Sequence, residues 1–299
     1  MKKNYILFIL FLFSYLLGYM GFYYKIFPYN ELKFIKNFYK YKINPKYINY
    51  DLDHRFVDTQ GKKIIDCPEN NQKTLAILII GQSPVANTHQ KKIKNENKNI
   101  INFFNDRCFI AESPLLGSTN GKGEYLTLMG KELLKFEDFD TILLVPFGIG
   151  GASISDFSEK GRYHEQLISL LKNVREKFKI NLVLYDQGTT DAYHKMGKHV
   201  YKGYFYNLKE ILNKNNVRSP IFMSIHTFCD PYISTTNAIS QAQQELIDEE
   251  ENIYLSYNSD KEIGFNLRYD NCHYNFEGQI TASKKISNSI IKYYRNINF

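Results

Sequence analysis

The chain has 299 residues, 43% hydrophobic and 23% charged, with Gly 17 and Pro 8, an ordinary globular composition that excludes disordered, collagenous and low-complexity polymers. The formal charge of +7 sits at one end: residues 1–50 hold eight lysines and one acid, Glu31, and the remaining 249 residues balance at 30 basic and 30 acidic side chains. A neutral body lacks the basic face that neutralises phosphates, which argues against nucleic-acid binding.

From Asn4 to Tyr24 no side chain is charged. As a helix these residues would span about 30 Å, the thickness of a bilayer's hydrocarbon layer. Lys2 and Lys3 precede the segment, Phe22, Tyr23 and Tyr24 offer an interfacial aromatic belt, and no A-x-A cleavage site follows. The reading is an uncleaved N-terminal transmembrane anchor over 1–28, with a cleaved signal peptide as its rival. Lysine counting alone would place the body in the cytoplasm, but the whole chain is rich in Lys, Asn, Ile and Tyr, so an extracytoplasmic body is expected instead. Residues 29–73 form a membrane-proximal basic linker. Within it, 28–42 has the pattern of a basic amphipathic helix, with Lys33, Lys36 and Lys40 on one face and Phe34, Phe38 and Tyr41 on another. The alternative is a solvated spacer. Four cysteines, Cys67, Cys108, Cys229 and Cys272, suit an oxidising compartment and allow three pairings, with free buried thiols as the alternative.

The body, 74–299, alternates short apolar runs with helix-period segments. The runs are 75–81, 141–147, 181–185, 220–225 and 252–257, and helices are expected over 123–134, 164–178, 237–249 and 279–294. The runs barely alternate, as strands buried on both faces do not. This predicts an α/β fold: a three-layer α/β/α sandwich around a five-stranded parallel sheet. Ligands bind such sheets beyond the carboxyl ends of the strands. There the chain carries Gly81-Gln82-Ser83, Gly150-Gly151-Ala152-Ser153, Asp186-Gln187-Gly188 and Asp270-Asn271-Cys272-His273. Together they supply a nucleophile, oxyanion donors, a base and its orienter. Taken singly, each has a plain structural alternative: a turn serine, a tight glycine turn, a loop amide, a helix-start cap. The G-x-S-x-G elbow is absent, because Val85 stands at the second glycine position.

GQSPVA (81–86), GGASISDF (150–157), YDQGTTDA (185–192) and DNCHYNFEG (270–278), in that order, resemble the SGNH-hydrolase superfamily. The resemblance is to its sialate O-acetylesterase, or carbohydrate esterase family 6, branch, which reads roughly GQSNMA, GGTSIxxW, WHQGExDA and DxxH followed by Gly. Asn237–Gln244 also resembles the helix before that family's last strand. Pro84, Asp186 and Thr189 replace the family's Asn, His and Glu, and Phe157 and Tyr185 replace tryptophans. The resemblance implies the flavodoxin-like SGNH fold and a serine esterase that removes O-acetyl groups from a carbohydrate. It implies Ser83 as nucleophile, His273 as base and Asp270 as its orienter, with the oxyanion held by the N–H groups of Ser83 and Gly151 and by the Gln187 amide. Neither metal nor organic cofactor is required. The rivals are an O-acetyltransferase using the same triad, a non-catalytic glycan-binding protein and a lipid-directed esterase. His226 follows a strand end and is either structural or part of the cleft. A Cys229–Cys272 bond would staple the catalytic turn.

Overall fold

All five apolar runs form strands, and three further strands enlarge the sheet. The computed structural model describes residues 2–24, 32, 35, 36, 51, 55–229 and 234–297. The amphipathic helix expected over 28–42 therefore lies almost wholly outside the described residues. Two compact units divide the chain, Met1–Asp58 and Thr59–Phe299.

In the first unit, helix α1 (Lys2–Tyr24) carries exposed apolar side chains from Ile9 to Met20. Its side chains are described only over that stretch, about 18 Å of helix. Among the described residues no helix is long and apolar enough to cross a membrane, so the expected transmembrane helix gains no support there.

In the second unit the strands are β1 (Ile64–Ile65), β2 (Thr74–Gly81), β3 (Ile100–Phe104), β4 (Arg107–Ile110), β5 (Thr141–Gly148), β6 (Leu182–Asp186), β7 (Ile221–Ile225) and β8 (Ile253–Asn258). They form one sheet in the order β1-β4-β3-β5-β2-β6-β7-β8. From β3 to β8 neighbours run parallel, while β4 and β1 are antiparallel additions at one edge. The expectation of five parallel strands is corrected to a mixed sheet of eight among the described residues. The hairpin β3–β4 turns on Asn105 and Asp106, with φ of 45° and 59°, the left-handed geometry of a tight hairpin. A polar, Lys- and Asn-rich run before Ile100 hid it. Strand β1 lies in the segment read as linker, and Cys67, just beyond it, is bonded to Cys108 on β4.

The sheet is covered on both sides, which accounts for the apolar runs lacking alternation. Along β2, Ala76, Leu78 and Ile80 join one core with Leu167 and Leu171 of α3 (His164–Arg175) and with Tyr201 and Phe205 of α5 (Lys198–Lys214). Leu75, Ile77 and Ile79 join the other with Leu126 and Met129 of α2 (Leu126–Leu133) and Ala282, Ile286 and Ile290 of α8 (Phe276–Ile297). Two more helices, α4 (Thr189–Tyr193) and α6 (Ala238–Leu246), precede α5 and β8 respectively, and α7 (Ser259–Glu262) follows β8. Helices α4 and α5 were not among the expected elements, although Tyr201, Phe205, Leu208 and Leu212 fall on one helical face of α5. Strand β2 lies between β5 and β6, and the chain fills the sheet first on the β5 side, then on the β6 side. This reversal of strand order places the crevice of such folds at the carboxyl end of β2.

Candidate active site

The carboxyl end of β2 is crowded, and glycine is required there. A Cβ on Gly81 would run into the Asp186 carbonyl at the end of β6. This close approach lets Gln82 reach across. Its Oε1 accepts from Gln187 Nε2, Gly188 N and Thr190 N, each at 3.2 Å, and its Nε2 donates to Thr189 Oγ1. Ser83 then opens a single 3₁₀ turn, Ser83–Val85, with Pro84 in its first turn. Proline is tolerated there because the first N–H groups of a helix have no partner inside it. Ser83 is 8% exposed, and among the described residues its N–H has no acceptor.

Gly151, past the end of β5, has φ +75°, and nothing would meet a Cβ built on it; its conformation, not its space, calls for glycine. Its N–H likewise has no acceptor among the described residues. The following 3₁₀ turn is held by Asp191, whose Oδ1 accepts from Ser153 Oγ at 2.5 Å and whose Oδ2 accepts from Ile154 N at 3.1 Å. Burial pushes the Asp191 carboxyl up, and these bonds work against that shift. Asp191 lies within the YDQGTTDA block, where the resemblance assigns it no role. Its position in a strand-end block is the one mark of it in the sequence.

Gln187 is the third oxyanion donor that the sequence suggests. It is fully buried, and its Nε2 shares its two hydrogens among Gln82 Oε1, Ala152 O and Asp191 Oδ2. Its Oε1 accepts from Tyr185 and Tyr201 hydroxyls. Through these contacts Gln187 fastens the three loops together.

On the last turn, Asp270 Oδ2 lies 2.8 Å from His273 Nδ1, and Oδ1 accepts from His273 N at 2.6 Å and Cys272 N at 3.2 Å. The carboxylate therefore caps its own turn and aligns the imidazole, leaving Nε2 as the basic nitrogen. Partial burial opposes the charge on Asp270, but the His273 bonds outweigh it and hold the carboxyl below its ordinary value. The turn is stapled by the Cys229–Cys272 disulfide and by buried Arg268, whose Nη1 donates to Cys272 O at 2.6 Å and to Phe228 O at 3.2 Å. It is also tied to the Ser83 turn: Tyr269 OH donates to Thr88 O at 2.9 Å, and Thr88 Oγ1 donates to Ser83 O at 2.6 Å. Among the described residues, no hydrogen bond joins Ser83 Oγ directly to His273.

His226 is structural. Its Nδ1 lies 2.8 Å from Asp186 Oδ1, and both residues are buried. Asp186 Oδ2 accepts from Tyr125 OH at 2.8 Å and Tyr257 OH at 3.2 Å. Burial opposes the Asp186 charge, yet His226 and the two hydroxyls keep its carboxyl below the usual range.

Residues 74–292 match the family described as carbohydrate esterase, sialic acid-specific acetylesterase. The chain belongs to that family. The esterase therefore carries an SGNH-like α/β domain and is a carboxylic ester hydrolase. Its fold is similar to that of a solved protein from Arabidopsis thaliana, with TM-score 0.57 and 18% identity over 74% of this chain and 99% of that one. It is also similar to NanS (TM-score 0.54, 13% identity, 75% of this chain and 98% of that chain). A family 3 carbohydrate esterase from Clostridium thermocellum aligns at TM-score 0.50 and 14% identity, over 75% of this chain and 99% of that chain. No curated protein matches the sequence.

Proposed function

We propose that the esterase hydrolyses O-acetyl esters of a sialic acid or related acylated sugar through a Ser83-His273-Asp270 acyl-enzyme mechanism. The observation that carries this reading is the Asp270–His273 pair, joined at 2.8 Å on a turn bonded to the serine's own loop, with the N–H groups of Ser83 and, on the loop after β5, of Gly151 lacking acceptors among the described residues. Ser83 Oγ attacks the acetyl carbonyl while His273 Nε2 takes its proton. The same nitrogen returns the proton to the departing sugar hydroxyl. Asp270 keeps Nδ1 protonated and stabilises the imidazolium. The Ser83 and Gly151 N–H groups receive the negative charge that develops on the carbonyl oxygen. Water then attacks the acetyl-serine, with His273 acting again as base.

The test is acetate release from O-acetylated sialic acid and from an acetylated neutral glycan, with Ser83→Ala as control. Retention of wild-type rates by Ser83→Ala would remove the mechanism. Acetate release that rises only when an acceptor glycan is added would instead favour the transferase reading.

The second part of the proposal concerns location. The Cys67–Cys108 and Cys229–Cys272 disulfides engage every cysteine of the chain, which supports an oxidising, extracytoplasmic compartment for the body. The uncharged segment 4–24 is proposed as its membrane tether. Release of the full chain from membranes by high salt alone would count against the tether.

A further inference from the structure

Ser83 and His273 sit on separate loops with no direct hydrogen bond between them, so the spacing of nucleophile and base depends on what joins those loops. One side chain contacts the residue that follows each of them. His89, buried at 1% exposure, accepts at Nδ1 from the N–H of Tyr274 at 2.9 Å, and its Nε2 lies 2.8 Å from the carbonyl of Pro84. An amide N–H only donates and a carbonyl oxygen only accepts, so the ring is the neutral tautomer protonated at Nε2. Burial agrees, pushing the imidazole down to about 3.

The ring has little freedom to leave this position. It stacks on Tyr274 with centroids 4.6 Å apart and planes 2° from parallel. Tyr274 is anchored in turn, its hydroxyl 2.6 Å from Tyr257 OH and 2.7 Å from Ser259 Oγ. The His89 backbone exchanges both hydrogen bonds with Gly123, each at 2.9 Å. The His89 and His273 rings lie 6.4 Å apart.

We propose that His89 is a positioning residue: a two-ended bridge from the Pro84 carbonyl to the Tyr274 amide that sets the distance between Ser83 Oγ and the His273 imidazole. The proposal rests on the esterase reading above. Its signature is that a bridge with one end cut is no bridge. Two independent bonds would instead contribute separately, each with its own loss.

The experiment compares His89→Ala, His89→Asn and His89→Gln in the full chain. Asn keeps an acceptor near the place of Nδ1, and Gln keeps a donor near the place of Nε2. The expected result is a fall in kcat on 4-nitrophenyl acetate of about tenfold to a hundredfold, the cost of a misplacement on the order of 1 Å. KM should stay within about twofold, and Asn and Gln should each be as damaging as Ala. Amide exchange at Tyr274 reads the bond without reference to activity: it should accelerate in the Ala and Gln variants and stay protected in Asn. Wild-type kcat in a folded Asn or Gln variant, or logarithmic losses for the two that sum to that of Ala, would overturn the bridge while leaving the esterase reading intact. A wild-type protein inactive on every ester, with the Tyr274 amide still protected, would overturn the esterase reading and the positioning role together.

Discussion

The two halves of the candidate site are held by different means. On the Ser83 side, Gln82, Gln187 and Asp191 are buried and bind three strand-end loops through side-chain hydrogen bonds. On the other side, the Asp270 and His273 side chains are 37% and 25% exposed, and the turn is secured by a disulfide and Arg268. The two neighbouring histidines show why the halves differ. His89 is buried, and desolvation drives its pKa to about 3, so it cannot serve as a general base near neutrality. A working base needs some solvent, and a solvated turn cannot borrow rigidity from a dry polar network. A covalent bond supplies that rigidity without burying the imidazole.

Substitutions should test this contrast. The largest effect is expected on the exposed half: His273→Ala should lower kcat on the order of 10⁴-fold or more, measured on an aryl acetate. On the buried half, Asp191→Asn should reduce kcat about tenfold to a hundredfold through displacement of the Gly151 loop. Wild-type kcat in that variant would show that the loop holds without it.

The two disulfides close loops of similar length, with sequence separations of 41 and 43, so Cys67→Ser/Cys108→Ser and Cys229→Ser/Cys272→Ser should each cost about 4 kcal/mol of stability. Only the second pair should lower kcat, by less than about tenfold. Equal activity in both double variants would mean that the staple serves stability alone.

The smallest effect is expected from pH. The bonds to His273 hold the Asp270 carboxyl below its ordinary value in the folded protein, so it is ionised further into acid there than in the unfolded chain. Its contribution to stability is therefore complete above the unfolded pKa and is lost as pH falls through the lower folded value. The Tm difference between wild type and Asp270→Ala should narrow as the pH drops below about 4. A difference that widens would reverse the assigned sign.

Much of the sheet could be read from the chain because burial on both faces leaves an uninterrupted apolar run, as in 75–81 and 141–147. The hairpin β3–β4 was harder to see, since Ile100–Phe104 is short and follows a lysine-rich stretch, leaving Asn105–Asp106 as its main mark. In the site, Asp270 and His273 lie three residues apart on one turn, so their pairing is written into the local sequence. The contact between Gln187 and Asp191 is not legible there, because a loop amide at a strand end looks the same whether its hydrogens face substrate or a neighbouring carboxylate.

The sequence by itself determined the strand–helix alternation, the order of the four strand-end blocks, the neutral body with its basic N-terminal segment, and the Asp270–His273 pair. These follow from periodicity, composition and contacts a few residues long. Only the tertiary structure decided which cysteines pair, that Asp186 holds His226, that Gln187 ties strand-end loops together, and that His89 touches both Pro84 and Tyr274. Cys67 and Cys108 are 41 residues apart, Cys229 and Cys272 43, Asp186 and His226 40, Gln187 and Gln82 105, and His89 and Tyr274 185. The fold brings them together by ordering the sheet around β2, and nothing in the spacing of the residues records that order.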